Sequence, residues 1–281
     1  MKVLVTGASG QLGMDVVSVL KSRFEMYGVG REQLDVSDLE QCKEVLNSVR
    51  PDVIIHCAAY TSVDLAESEQ DKAYLINAYG TRNIAVAAEE IGAKLCYIST
   101  DYVFDGSGDS AYTEYDNTNP QSVYGKSKRA GEWMVQNFSR NYFIVRTSWV
   151  YGLHGTNFVK TMLKLAQDRD RLKVVSDQVG SPTYTVDLAN FLADLVETNK
   201  YGIYHASNSG VCSWFDFAQA IFEEAGLVVR LERCTTEEFP RPAPRPRYSV
   251  MDHMSIRVNG FQDLRPWREA LRNFLQQYHR S

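Results

Sequence analysis

The sequence predicts an α/β fold built on a doubly wound parallel sheet. Two observations carry this. Short apolar runs alternate with amphipathic helical stretches through the first half of the chain, which is the pattern of repeated βαβ units. The first run, Lys2 to Thr6, passes directly into a glycine-rich turn and then a helix, as a dinucleotide-binding unit does. At 281 residues the chain is long enough for one large core or two modest ones.

In order, Lys2 to Thr6 reads as a buried parallel strand. Gly7, Gly10, Gln11, Leu12 and Gly13 form the turn, and Met14 to Leu20 continues as a helix. Glycines let the backbone approach a pyrophosphate, and the helix N-terminus supplies amide donors and a favourable dipole. The spacing is G-x-x-G-x-x-G, not the G-x-G-x-x-G of ordinary Rossmann dehydrogenases. Met26 to Val29 is the second strand, with Arg31 just past its tip. An acid there would bond a ribose 2′-hydroxyl, whereas an arginine accommodates a 2′-phosphate. Arg31 therefore leans the cofactor towards NADPH, with NADH as the alternative because Glu32 is adjacent. Asp35 and Val36 follow; Asp35 reads equally as an adenine contact or a turn residue. Ser37-x-x-Glu40 has the form of a capping box opening a helix to about Val49.

Pro51 to Ala59 is the third buried strand, and Ala59, Tyr60 and Thr61 end it where open α/β sheets bind ligands. His56 lies inside that strand and reads as a hydrogen-bonded core residue. A long helix is expected over Asp71 to Ile91, with Asn77 inside it. Lys94 to Ser99 and Tyr142 to Arg146 are the fourth and fifth strands, separated by a polar loop, Asp105 to Pro120, and another helix. Beyond them, helices are expected at Asn157 to Gln167, Asp187 to Thr198, Ser213 to Ala225 and Pro266 to Tyr278. Strands are expected at Leu172 to Ser176 and Ile203 to Ala206, and Val228 to Leu231 has the composition to pair with a neighbour. Trp267, Leu271, Phe274, Leu275 and Tyr278 fall on one stripe of the last helix and belong to the core.

Composition excludes several classes. A net charge of −5 gives no basic footprint for nucleic acid or an anionic membrane surface. No apolar run approaches the roughly 20 residues of a membrane span, and the first residues read as a strand, not a signal peptide. The five cysteines contain no C-x-x-C pair, and their odd number argues against a closed disulfide set. A cytoplasmic protein without a metal site is expected.

The chemistry centres on Tyr124 and Lys128. Four residues apart on a helix, they share one face. A phenol beside an ammonium is a proton donor with a lowered pKa, because the positive charge favours phenolate. A hydroxyl from Ser99 or Thr100, both where the fourth strand ends, would complete a triangle around a carbonyl oxygen.

Taken together, Gly7-x-x-Gly10-x-x-Gly13, Ser99-Thr100, Tyr124-x-x-x-Lys128 and Trp149-Val150-Tyr151-Gly152 resemble the extended short-chain dehydrogenase/reductase superfamily. Within it the chain resembles the dTDP-4-dehydrorhamnose reductase family. The resembling stretches include Cys57 to Thr61, Val63-Asp64, Ser99 to Phe104, Val123 to Lys128, Arg146 to Tyr151 and Asp177 to Thr183. The resemblance implies NADPH-dependent reduction of the C4 ketone of dTDP-4-dehydro-L-rhamnose to dTDP-L-rhamnose. Tyr124 would protonate the oxygen, Lys128 would hold the nicotinamide ribose, and Thr100 is favoured over Ser99 as the oxyanion donor. Gly10 to Leu12, Asp35-Val36 and Ala59 to Thr61 would line the cofactor, and Asp101 and Trp149 would touch the sugar. Core packing is the alternative for Trp149.

The resemblance further implies that residues 1–150 form the NAD(P)-binding domain, its sheet completed by part of 172–207, and that 151–281 mainly form an interleaved substrate-binding lobe. Arg241, Arg245 and Arg247 lie in a proline-rich stretch and would either clamp a sugar-nucleotide diphosphate or stay solvated. The family pattern favours Arg245. A dehydratase of this superfamily carries Thr-Asp-Glu; here the triplet is Thr100-Asp101-Tyr102, which argues against elimination. An epimerase, a 4-ketoreductase of other stereochemistry and a non-catalytic regulatory subunit remain as competing readings. Some family members are metal-bridged dimers through an N-terminal helix acid. Here Asp15 is the only acid at that point and Val186 replaces a second ligand, so a monomer or weak homodimer is expected.

Overall fold

A computed structural model describes residues 1–280. The first half runs β1 (Lys2–Thr6), α1 (Gln11–Leu20), β2 (Glu25–Val29), α2 (Leu39–Val49), β3 (Val53–His56), α3 (Val63–Ala66) and α4 (Gln70–Tyr74). A π-helical turn over Leu75–Gly80 leads into α5 (Thr81–Ile91), then β4 (Lys94–Thr100), α6 (Val123–Phe138) and β5 (Tyr142–Thr147). The second half contains β6 (Val150–Tyr151), α7 (Phe158–Asp168), β7 (Arg171–Val175), β8 (Val179–Gly180), β9 (Thr183–Tyr184), α8 (Thr185–Val196) and β10 (Gly202–His205). It ends with β11 (Cys212–Ser213), α9 (Trp214–Ala225), β12 (Arg230–Cys234), α10 (Met254–Val258) and α11 (Trp267–Tyr278).

The central sheet is six-stranded and parallel, in the order β10-β5-β4-β3-β1-β2. Its strands are apolar on both faces, and alternation assigns their residues to two cores. Val3, Val5, Val53, Ile55, Phe143 and Val145 face α1 and α8. Leu4, Ile54, Leu95, Tyr97 and Ile144 face the other way, against α2, α5 and α6. Each such aliphatic side chain contributes about 1.5–3 kcal/mol by leaving water. Chain direction in the strand order reverses between β1 and β3, so the loops leaving their carboxyl ends part and open a crevice there.

Three local expectations need correction. The capping residue of α2 is Asp38, which accepts from the Gln41 amide. Ser37 is unavailable because its amide and hydroxyl both bond Asp35 Oδ1. The helix expected over 71–91 is interrupted by the π turn, which aims the Asn77 side chain across to Tyr60 and Ser127. Of the second-half strands, β10 joins the central sheet and β7 pairs with β12. Asp187 does not open its helix: α8 begins at Thr185, directly after β9.

The second half builds its own apolar core from α7, α9 and α11, with Phe217, Leu271 and Phe274 at its centre. A capping box opens α9: Ser213 accepts from the Asp216 amide, and Asp216 returns the bond to the Ser213 amide. No helix among the described residues is long and apolar enough to cross a membrane.

Candidate active site

The glycine turn follows β1 at the crevice. Gly7 has φ +65°, and a Cβ there would sit 2.7 Å from the Ala58 nitrogen. A Cβ on Gly13 would lie 2.2 Å from the Gly7 carbonyl oxygen. This cradle is closed to side chains and presents backbone amides at the start of α1, which fits a dinucleotide pyrophosphate. Behind it, His56 is fully buried, bonded to Thr6 Oγ1 at 2.6 Å and to Thr81 Oγ1 at 3.2 Å. Burial lowers its pKa to about 3, so it is a neutral structural residue.

The other residues expected at the cofactor divide. Gln11 ties the two halves together: its amide donates to the Val150 carbonyl at 3.2 Å and accepts from Asn157 at 2.9 Å. Leu12 packs against the sheet core. Asp35 is held below the usual carboxylate range by its bonds to Ser37, the geometry of a turn residue, and Val36 is buried. Arg31 is exposed and electrostatically close to Asp35. Tyr60 is buried against α4 with its hydroxyl on Glu69, Ala59 is half-buried and Thr61 is exposed.

β4 and α6 bring the reactive groups together. Ser122 caps α6 by accepting from the Gly125 amide at 3.1 Å. Tyr124 and Lys128 follow on its first turns. Thr100 ends β4 and its hydroxyl donates to Asp101 Oδ1 at 2.9 Å. The same hydroxyl lies beside the Tyr124 phenol and pulls its pKa down, but burial dominates and raises it to about 12, with Asp101 adding to the rise. Lys128 is 2% exposed. Its ammonium donates to the Ile98 carbonyl at 2.6 Å and stands 4.1 Å from the Tyr97 ring centroid. Burial lowers it to about 7, opposed by Glu132 and Cys57. The sequence expectation of a phenol acidified by its neighbouring lysine therefore does not describe the protein: desolvation is the largest influence on both groups, and neither is among the charges that shift the other. At neutral pH Tyr124 keeps its proton.

Asp101 is 2% exposed, its Oδ2 has no hydrogen-bond partner, and burial lifts its pKa to about 6. A cavity of about 700 Å³ opens alongside. It meets the reactive cluster at Tyr102, whose ring stands edge-on to Tyr124 at 5.5 Å. Trp149 lines it and is stacked on Trp214 at 3.6 Å. Trp149 adopts φ +48°, a conformation that costs a non-glycine residue about 1–3 kcal/mol. Arg169, Arg171, Lys173, Arg241 and Arg245 also line it. Arg245 is tethered to Asp64 at 2.8 Å and to the Ala243 carbonyl at 3.1 Å. Arg247 instead offers its backbone carbonyl to the Val179 amide. Asp15 is buried against Thr185, with His154 at 3.5 Å.

The place of several site residues was not legible in the sequence. Asn77 required the π turn, Trp214 the packing of α9 against β6 and its flanks, and Asp64 the approach of the 240–247 stretch. Glu132, four residues after Lys128, is the exception; its spacing pointed to the same helix face.

A Rossmann sheet, a glycine cradle and a Tyr-Lys helix beside a threonine define an oxidoreductase of the extended short-chain class. The family model described as the RmlD substrate binding domain matches residues 1–280, and the chain belongs to this family, that of the dTDP-4-dehydrorhamnose reductases. It is 48% identical over 98% of its length to the spore coat polysaccharide biosynthesis protein SpsK of Bacillus subtilis, of which it covers 97%. It is 42% identical to a dTDP-4-dehydrorhamnose reductase of Aggregatibacter actinomycetemcomitans, with 97% of each chain aligned. The fold superposes with a TM-score of 0.97 on a dTDP-4-dehydrorhamnose reductase from Bacillus anthracis in complex with NADP, at 48% identity and covering 98% and 99% of the two chains.

Proposed function

We propose that this protein reduces the C4 ketone of dTDP-4-dehydro-L-rhamnose to dTDP-L-rhamnose with NADPH. The observation that carries the reading is the convergence of Thr100, Tyr124 and Lys128 beside a cationic, indole-walled cavity. NADPH would supply the hydride when bound. Gly7, Gly10 and Gly13 admit the pyrophosphate, Gln11 to Leu12, Val36 and Ala59 to Thr61 frame the dinucleotide, and Arg31 with Asp35 meets its adenosine end. Lys128 holds the nicotinamide ribose.

Tyr124, protonated at neutral pH, donates its proton to the C4 oxygen as negative charge develops there. Thr100 turns its hydroxyl hydrogen from Asp101 to the same oxygen, an oxyanion-type contact in a site shielded from water. Asp101 takes a sugar hydroxyl on its unpartnered oxygen. Trp149 covers the apolar face of the sugar, and Arg245 meets the diphosphate through a guanidinium fork. In this reading residues 1–150 with β10 are the dinucleotide-binding unit, and most of 151–281 is the substrate lobe. The protein acts in the cytoplasm as a monomer or weak homodimer.

The test is NADPH oxidation with enzymatically generated dTDP-4-dehydro-L-rhamnose, with NADH in parallel. Wild-type turnover with a loss of about 100-fold or more in Tyr124→Phe is expected. NMR of the product reads the C4 configuration. A folded, dinucleotide-binding protein that oxidises neither cofactor with this substrate refutes the reading.

A further inference from the structure

Beneath the reactive cluster lies a buried ionic group that the reaction as proposed does not use. Glu132 sits one turn beyond Lys128 on α6 and is fully buried. Its Oε1 accepts from Ser99 Oγ at 2.6 Å and from Arg146 Nε at 2.8 Å, and its Oε2 accepts from Arg146 Nη2 at 2.9 Å. Arg129 approaches Oε2 to 3.8 Å. Arg146, on β5, is 2% exposed and also reaches the ring of His205 at 3.3 Å. Buried pairs of this kind are often replaceable by apolar side chains without loss of stability, so stability alone does not account for this one.

Its neighbours suggest what does. Ser99 and Thr100 are consecutive on β4, and consecutive strand side chains point to opposite faces. Ser99 reaches down to Glu132, while Thr100 lies beside Tyr124 and Asp101. The bond from Ser99 thus pins the strand end in the one rotation that presents Thr100 to the phenol. Lys128 is faced by Glu132 one turn on along α6, by the Tyr97 ring and Ile98 carbonyl from β4, by His56 at the end of β3 and by Cys57 just beyond it, with Arg146 of β5 behind Glu132; Tyr124 lies one turn before it on α6. His56 is neutral, and burial pushes the Cys57 thiol up to about 12. Glu132 is the anion of that set.

We propose that Glu132 is a positioning residue of the active site: through Ser99 it sets the register of Thr100 against Tyr124, and as the anion one turn from Lys128 it favours the charged form of that lysine against its burial. The effect on turnover rests on the reductase reading above; the effect on the lysine does not.

The experiment therefore has two arms. In the first, the Lys128 side-chain nitrogen is titrated by NMR in 15N-lysine-labelled protein, assigned with Lys128→Arg. Glu132→Gln is expected to lower the midpoint by about one pH unit or more. Glu132→Met/Arg146→Met, which leaves no unpaired buried charge, is expected to fold and to show the same direction. A midpoint unmoved in the folded variants overturns the electrostatic role. In the second arm, Ser99→Ala is expected to lower kcat about 10-fold through misplacement of Thr100. The KM for cofactor and the Lys128 midpoint stay near wild type, and Ser99→Thr restores the rate. Full kcat in Ser99→Ala overturns the register role. A shifted lysine with no wild-type turnover refutes the reductase reading and leaves the role of Glu132 towards Lys128 standing.

Discussion

Substituting Gly13 by alanine tests the cradle with a size that the coordinates supply. The new Cβ would lie 2.2 Å from the Gly7 carbonyl oxygen and 2.9 Å from the Ala8 Cα. The first distance falls short of van der Waals contact by about 1 Å, and both neighbours are backbone, which cannot rotate away. Overpacking of this kind costs about 1–3 kcal/mol. For a chain of this size each kcal/mol lowers Tm by about 2–4 °C, so a drop of roughly 2–12 °C is expected in the protein without cofactor. Gly10→Ala is the internal control. There the Cβ meets the same oxygen at 3.2 Å, φ is −83°, and the fold yields by only tenths of an ångström. Its melting temperature stays near wild type. Both variants weaken NADPH binding in a fluorescence titration, Gly13→Ala because the turn has moved by about 1 Å, Gly10→Ala because a methyl stands where the pyrophosphate approaches. Differential scanning calorimetry gives the first quantity. A Gly13→Ala protein that melts with wild type, or a Gly10→Ala protein that melts lower than Gly13→Ala, refutes the steric argument. Unchanged NADPH affinity in both refutes the placement of the cofactor.

Two further outcomes follow from the electrostatics. Arg245→Ala and Asp64→Asn are both expected to raise the substrate KM, about 10-fold for the arginine and less for the aspartate, with kcat changed by under about threefold, because Asp64 tethers the guanidinium that is proposed to meet the diphosphate; equal losses in kcat would place Arg245 at the reacting atoms instead. Lys128→Met is expected to lose turnover yet gain stability near neutral pH. The folded-state pKa of about 7 lies below the ordinary 10.5, so burial penalises the charged form, fully below pH 7 and not at all above about 10.5. The difference in pKa corresponds to about 5 kcal/mol, reduced by the 1–3 kcal/mol of leaving the Ile98 carbonyl unpaired. A net gain of about 2–4 kcal/mol by chemical denaturation at pH 7, disappearing at alkaline pH, is the expected result. A destabilised variant at pH 7 would falsify the assigned shift.

The sequence by itself determined the parallel sheet, the glycine turn and the shared face of Tyr124 and Lys128, because these are local. Strand alternation, turn spacing and helical periodicity are written into consecutive residues. The residues alone did not separate Ser99 from Thr100, although the family pattern favoured Thr100; that Ser99 is bonded to Glu132 is visible only in the fold. Trp149 read as a sugar contact with core packing as the alternative; in the fold it lines the cavity and also stacks on Trp214 against the second core. The π turn at Leu75–Gly80, the departure of β7 from the central sheet and the tether of Arg245 to Asp64 are decided by tertiary packing. Each joins groups far apart in the chain, with no periodic trace. The protonation states belong to the same category. Spacing brought a phenol and an ammonium together, but burial, a property of the whole fold, raised one pKa and lowered the other.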